Sequence, residues 1–148
     1  MDESNRDVLH EYLKNIVSLY SMVKEWLSEK TLVSKEIQHT IIEEASGAYN
    51  TNKMSIIGKD NTQIAEIVPI GAWTIGAKGR VDLIGDYDQQ VLVYLTSELV
   101  NGVSSKQLYK GVENSGWYWI EDNRRAKAHL INKELFFELL EEVSDNEF

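Results

Sequence analysis

From Leu9 to Leu27 the apolar residues recur every three or four positions, through Leu9, Leu13, Ile16, Tyr20, Val23 and Leu27. Tyr12, Val17, Leu19 and Trp26 widen the stripe, while Glu11, Lys14, Lys24 and Glu25 take the other side. The spacing predicts a helix of about six turns, opened by Ser4-Asn5-Arg6-Asp7 as a capping box. Ser34 then precedes Ile37, Ile41, Ile42 and Ala45, which predicts a second, shorter helix ending near Gly47 and a helical hairpin around Thr31 to Val33.

The pattern changes in the middle of the chain. Lys53 to Ile57 reads as extended, and Gly58-Lys59-Asp60-Asn61 as a turn. Between Gln63 and Leu95 short apolar runs alternate with Gly71, Gly76, Gly79 and Gly85, and Pro69, the only proline of the chain, falls here too. Apolar runs broken by glycine predict a β-meander with one basic turn, Gly76-Ala77-Lys78-Gly79-Arg80. Ser104-Ser105-Lys106-Gln107 reads as a cap before a short helix ending near Gly111. Gly116 to Glu121 is a strand with Trp117 and Trp119 on one face and Tyr118 and Ile120 on the other. A turn at Asp122 to Arg125 leads to a partner strand over Ala126 to Ile131. Asn132 then caps a final helix striped by Leu135, Phe136, Leu139, Leu140 and Val143, with a tail that frays after Ser144.

The order α-α-β-β-β-β-α-β-β-α, joined mostly by short turns, predicts a single α+β domain over residues 1–148. Its N-terminal helical hairpin and C-terminal helix pack on a mainly antiparallel sheet of five to six strands. A chain of 148 residues with 43% hydrophobic and 26% charged residues has enough material for such a core.

The chain has no cysteine, which removes disulfides, thiolate chemistry and sulfur-ligated metals, and suits a reducing, cytoplasmic compartment. No apolar run approaches the roughly 20 residues of a membrane-spanning helix. The net charge is −9, and it is unevenly placed: six acids and no base follow Lys133, leaving only −3 for the other 133 residues. Polyanion binding is therefore disfavoured near the C-terminus.

Three short segments invite chemical readings. Gly71 to Lys78 approaches the phosphate-binding loop pattern, with its lysine one position late, glycine after it and a strand where a helix is required. Gly76-Ala77-Lys78-Gly79 has the form of the KH-domain backbone clamp, which in that family joins two helices. Gly79 to Gly85 followed by Gln90 to Tyr94 resembles in outline the strand pair of PD-(D/E)xK nucleases, with Asp82 as the first acid and Glu43 or Glu44 on a preceding helix. The acid and lysine of the second strand are absent, so that resemblance implies an inactive relative. His39 and Glu43 share a helical face on the predicted second helix, without a second pair to complete a metal shell. No cofactor is expected.

Two surfaces remain. The acids Glu134, Glu138, Glu141, Glu142 and Asp145, with Trp117 and Trp119 as anchors if exposed, suit a basic protein partner and an inhibitor, immunity or adaptor role. Lys78, Arg80, Arg124, Arg125 and Lys127, beside the aromatic strand, suit the alternative of single-stranded nucleic acid. Aromatic strand residues more commonly supply core, which ranks the protein-binding reading first. The wide aromatic stripe of the first helix (Tyr12, Tyr20, Trp26) leaves room for a homodimer.

Overall fold

The computed structural model describes residues 2–100, 102–122 and 126–148. Helix α1 (Glu3–Ser28) is followed by strands β1 (Val33–Glu43), β2 (Gly47–Ile57), β3 (Gln63–Gly71), β4 (Arg80–Gly85) and β5 (Gln89–Leu95). A small ribbon of β6 (Leu99–Val100) and β7 (Val103–Ser104) leads into α2 (Ser105–Leu108), and β8 (Gly116–Asp122), β9 (Lys127–Leu130) and α3 (Lys133–Ser144) complete the chain. Among the described residues the main sheet has seven strands in the order β1-β2-β3-β4-β5-β8-β9, every pair antiparallel. The α+β class and antiparallel meander agree with the sequence expectation. The sheet is larger than five to six strands because the second predicted helix is a strand.

That correction has a local cause. Ile37, Ile41 and Ile42 fall at helical spacing, but five of the eleven β1 residues are β-branched and lose rotamer freedom in a helix. The segment pairs with β2 without a register shift, from Val33 opposite Ile57 to Glu43 opposite Gly47. Strand pairing satisfies the backbone groups along its inner edge and, with the β-branched side chains, outweighs the weak helical periodicity. A helical hairpin is therefore absent, and α1 stands alone at the N-terminus.

Helices α1 and α3 share one face of the sheet. Tyr12, Ile16, Leu19, Tyr20, Val23 and Leu27 of α1 join Phe136, Leu139, Leu140 and Val143 of α3 over Met54, Ile67, Leu83, Leu92 and Trp117. The opposite face is covered only in part: Val93, Leu95, Tyr118, Ile120 and Ala128 pack with Ala77 and Val112 in a second, smaller core. Caps at two helices follow the sequence reading. Asn132 accepts the Leu135 N–H at 2.8 Å, and Ser104 with Gln107 forms a capping box on α2. At α1 the cap is Asp2, which accepts the Asn5 N–H at 2.8 Å, in place of the predicted Ser4.

The buried aromatics of α1 have polar tips, and each finds a backbone carbonyl. Tyr12 donates to Arg80 O and Tyr20 to Asn52 O, both at 2.7 Å. Burial raises the pKa of both phenols well above the ordinary value. Trp26 packs on Phe136 with ring centroids 5.7 Å apart. The stripe that left room for a homodimer is thus spent inside the monomer. Lys24 at the far end of α1 hydrogen-bonds Glu36 of β1 and holds that carboxyl below the usual range.

Tyr12 also explains one glycine. Gly79 has φ of +135°, and a Cβ there would lie 2.1 Å from Tyr12 Cδ1. Gly79→Ala is expected to cost about 3 kcal/mol, from backbone strain and overpacking together. Gly102→Ala, where φ is +79° but nothing lies within 4 Å of the added carbon, is expected to cost about 1 kcal/mol. Urea unfolding of the two variants checks the difference.

Candidate functional site

Helix α3 separates its two faces cleanly. Phe136, Phe137, Leu139, Leu140 and Val143 are buried, whereas Glu134, Glu138 and Glu142 are exposed and Glu141 is half-buried. The Glu141 carboxylate accepts the Phe148 N–H at 3.1 Å, which folds the C-terminal tail back beside Phe137. Asp145 caps the helix in the left-handed conformation, with φ of 54° and ψ of 40°. Five of the sequence-nominated acids therefore lie along one helix and its cap.

The helix end opens onto a groove of about 890 Å³. Its walls are the α1–β1 connection, the β2–β3 turn, the β4–β5 turn and the tail after α3. These elements bring Glu29, Asp60, Asp86, Asp145 and Glu147 together against Lys30 and Lys59. Tyr87 stands at the rim with 69% of its surface exposed. The β4–β5 turn is fixed there because the Tyr87 N–H donates to Val143 O at 3.0 Å, meeting a carbonyl of the last helical turn. This groove has no local signature in the sequence, since four segments far apart in the chain converge to form it.

The aromatic strand is placed differently. Trp117 and Trp119 share a face as expected, but Trp117 is only 2% exposed; its ring N–H donates to Asn15 O at 2.9 Å and its ring meets Tyr94 edge-on. It cannot anchor a partner, because α1 already covers it. Trp119 is half-buried, donates to Gln90 Oε1 at 2.8 Å and stacks on His129.

The basic residues are largely neutralised by neighbours. Lys78 donates to Glu11 at 2.9 Å and Glu98 at 3.3 Å. Burial lowers its pKa, but these two carboxylates outweigh that and the net shift is upward. Arg80 grips Asp82 through two hydrogen bonds of 2.8 and 3.0 Å, and that contact raises its pKa further. Lys127 lies 4.0 Å from Glu121. Arg124 and Arg125 lie outside the described residues. The three placed bases face four different carboxylates, Glu11, Glu98, Asp82 and Glu121, and do not line one surface.

The nuclease-like outline also loses its parts. Glu43 is on a strand, Asp82 faces Arg80, and Lys78 sits with Glu11 and Glu98, so the three do not share a pocket. Among the described residues no group of three or more His, Asp or Glu side chains is arranged to hold a metal ion. His39 reaches the Pro69 carbonyl at 3.2 Å, and His129 lies 3.4 Å from Glu121, so neither imidazole meets a hydroxyl nucleophile.

Glu43 has a different task. Its carboxylate accepts the N–H of Ala72 at 3.0 Å and of Trp73 at 3.3 Å, and the Tyr49 hydroxyl. Burial, followed by that contact, raises the Tyr49 pKa. Gly71 admits the carboxylate, since a Cβ there would lie 2.5 Å from Glu43 Oε1. The arrangement pins the β1–β2 arm to the β3–β4 connection.

No protein-family model, curated protein or solved structure matches this chain. No helix among the described residues is long and apolar enough to cross a membrane.

Glu43→Ala is expected to cost about 2–3 kcal/mol by stranding the Ala72 and Trp73 amides. Urea unfolding measures the cost. A loss under ~0.5 kcal/mol would show that water replaces the carboxylate without penalty.

Proposed function

We propose that this chain is a non-enzymatic protein-binding module of the inhibitor, immunity or adaptor kind, working in a cytoplasmic compartment on a basic partner. One observation carries the reading: Glu134, Glu138 and Glu142 of α3 are exposed and Asp145 at the end of that helix lines the acidic groove, with Tyr87 exposed at its rim. A predominantly acidic surface of this kind raises the association rate of an oppositely charged partner and disfavours polyanions. Tyr87 supplies the amphipathic ring that anchors interfaces, the part expected from the sequence of Trp117 and Trp119. The cysteine-free composition supports the compartment.

The nucleic-acid alternative has less support, because Lys78, Arg80 and Lys127 already face carboxylates. The protein-binding reading is tested by presenting the immobilised chain to an extract of its host and identifying retained proteins by mass spectrometry. A specific, basic partner is expected, with an association rate that falls steeply with salt. Reversing Glu134, Glu138 and Glu142 to lysine is expected to slow association about tenfold or more. A partner retained equally by the reversed variant, or oligonucleotide binding by the unsubstituted chain, would overturn the reading.

A further inference from the structure

The two margins of the main sheet are unlike. At β9, only four residues long, Lys110 pairs with the outer edge: Ala128 N–H donates to Lys110 O and Lys110 N–H to Ala126 O, both at 2.8 Å. At the other margin β1 runs for eleven residues without proline or bulge, and among the described residues no backbone group pairs with its outer edge. A long, regular, unpaired edge presents a row of free N–H and C=O groups that a further strand can take up. Val33 is 58% exposed and Ile37 37% exposed along it.

We propose that β1 is a homodimer edge, pairing antiparallel with β1 of a second copy about a two-fold axis at Ile37. The side chains select the occupant and the register. Centred on Ile37, the pairing sets Glu36 opposite Gln38 and Ser34 opposite Thr40 on one face, each twice by symmetry. Ile37 meets itself on the other face. Polar groups face polar groups, an apolar pair sits on the axis, and no two carboxylates or two lysines oppose each other. Neighbouring registers fit less well. An axis at Gln38 sets Lys35 against Ile41, Ser34 against Ile42 and Glu43 against Val33, each a polar side chain against an apolar one. An axis at Thr40 opposes Glu36 to Glu44. An axis at His39 opposes Lys35 to Glu43, whose carboxylate is committed to Ala72 and Trp73. Axes at Lys35 or Glu36 place like charges on themselves. The Ile37 register also ends the paired segment at Ile41, so the acids of the β1–β2 turn stay outside it. Most of the net charge is remote as well, since α3 packs over β3, β4 and β5.

Sedimentation of the full chain from ~1 µM to ~0.3 mM tests this. Twice the 17.0 kDa chain mass is expected at the upper end. Ile37→Lys and Ile37→Glu are each expected to sediment as monomers, and their equimolar mixture as a dimer, because only a residue on the axis faces its own counterpart. Ile42→Lys, on the same strand and 79% exposed but beyond the paired segment, is expected to leave the dimer intact. A monomer throughout for the unsubstituted chain would overturn the proposal. So would a dimer indifferent to both Ile37 substitutions, or two monomeric variants that mixing does not restore.

Discussion

Helix α1 lies across the sheet with its tyrosines fully inserted, and the rest of the architecture is arranged around that contact. Burying a phenol is favourable only if its hydroxyl keeps a partner, and Tyr12 and Tyr20 each take a strand carbonyl to meet that demand. Trp117 answers from the opposite direction by donating to a helix carbonyl. Three side-chain-to-backbone bonds thus fix the helix against β2, β4 and β8, elements far apart in sequence. Gly79 belongs to the same constraint, since its missing side chain is the space occupied by the Tyr12 ring.

Given this clamp, the polar chemistry divides into interior ties and an outer surface. Glu43, Asp82 and Lys78 looked like chemistry in the sequence, yet each is consumed by a neighbour: backbone amides, a guanidinium, and two carboxylates respectively. What remains unspent is the acid-rich end, where α3 and three connecting segments converge. At that end the Tyr87 N–H, donating to Val143 O, ties the β4–β5 turn to the last turn of α3.

Much of this was legible where a local rule governs the outcome. The α1 stripe, the Asn132 and Ser104 caps, and the alternation of Trp117, Tyr118, Trp119 and Ile120 depend on neighbours within a few residues, and the structure keeps all four. Val33–Glu43 was misread because isoleucines at positions 37 and 41 satisfy a helical repeat by coincidence. The deciding fact, a full-length partner in β2, is not a property of the segment itself. Among site residues, the α3 acids were readable as an exposed face. The groove beyond them was not, nor was the Glu43 amide cradle, whose partners lie 29 and 30 residues away.

The difference between the sheet's margins has a consequence for growth. Head-to-tail stacking requires two receptive borders on every unit, one to give and one to take, and repetition then builds filaments without limit. Here Lys110 pairs with the outer edge of β9 at Ala126 and Ala128, which leaves β1, among the described residues, as the long open border of the main sheet. Any association through it is self-terminating, which protects a chain this rich in extended structure from polymerising.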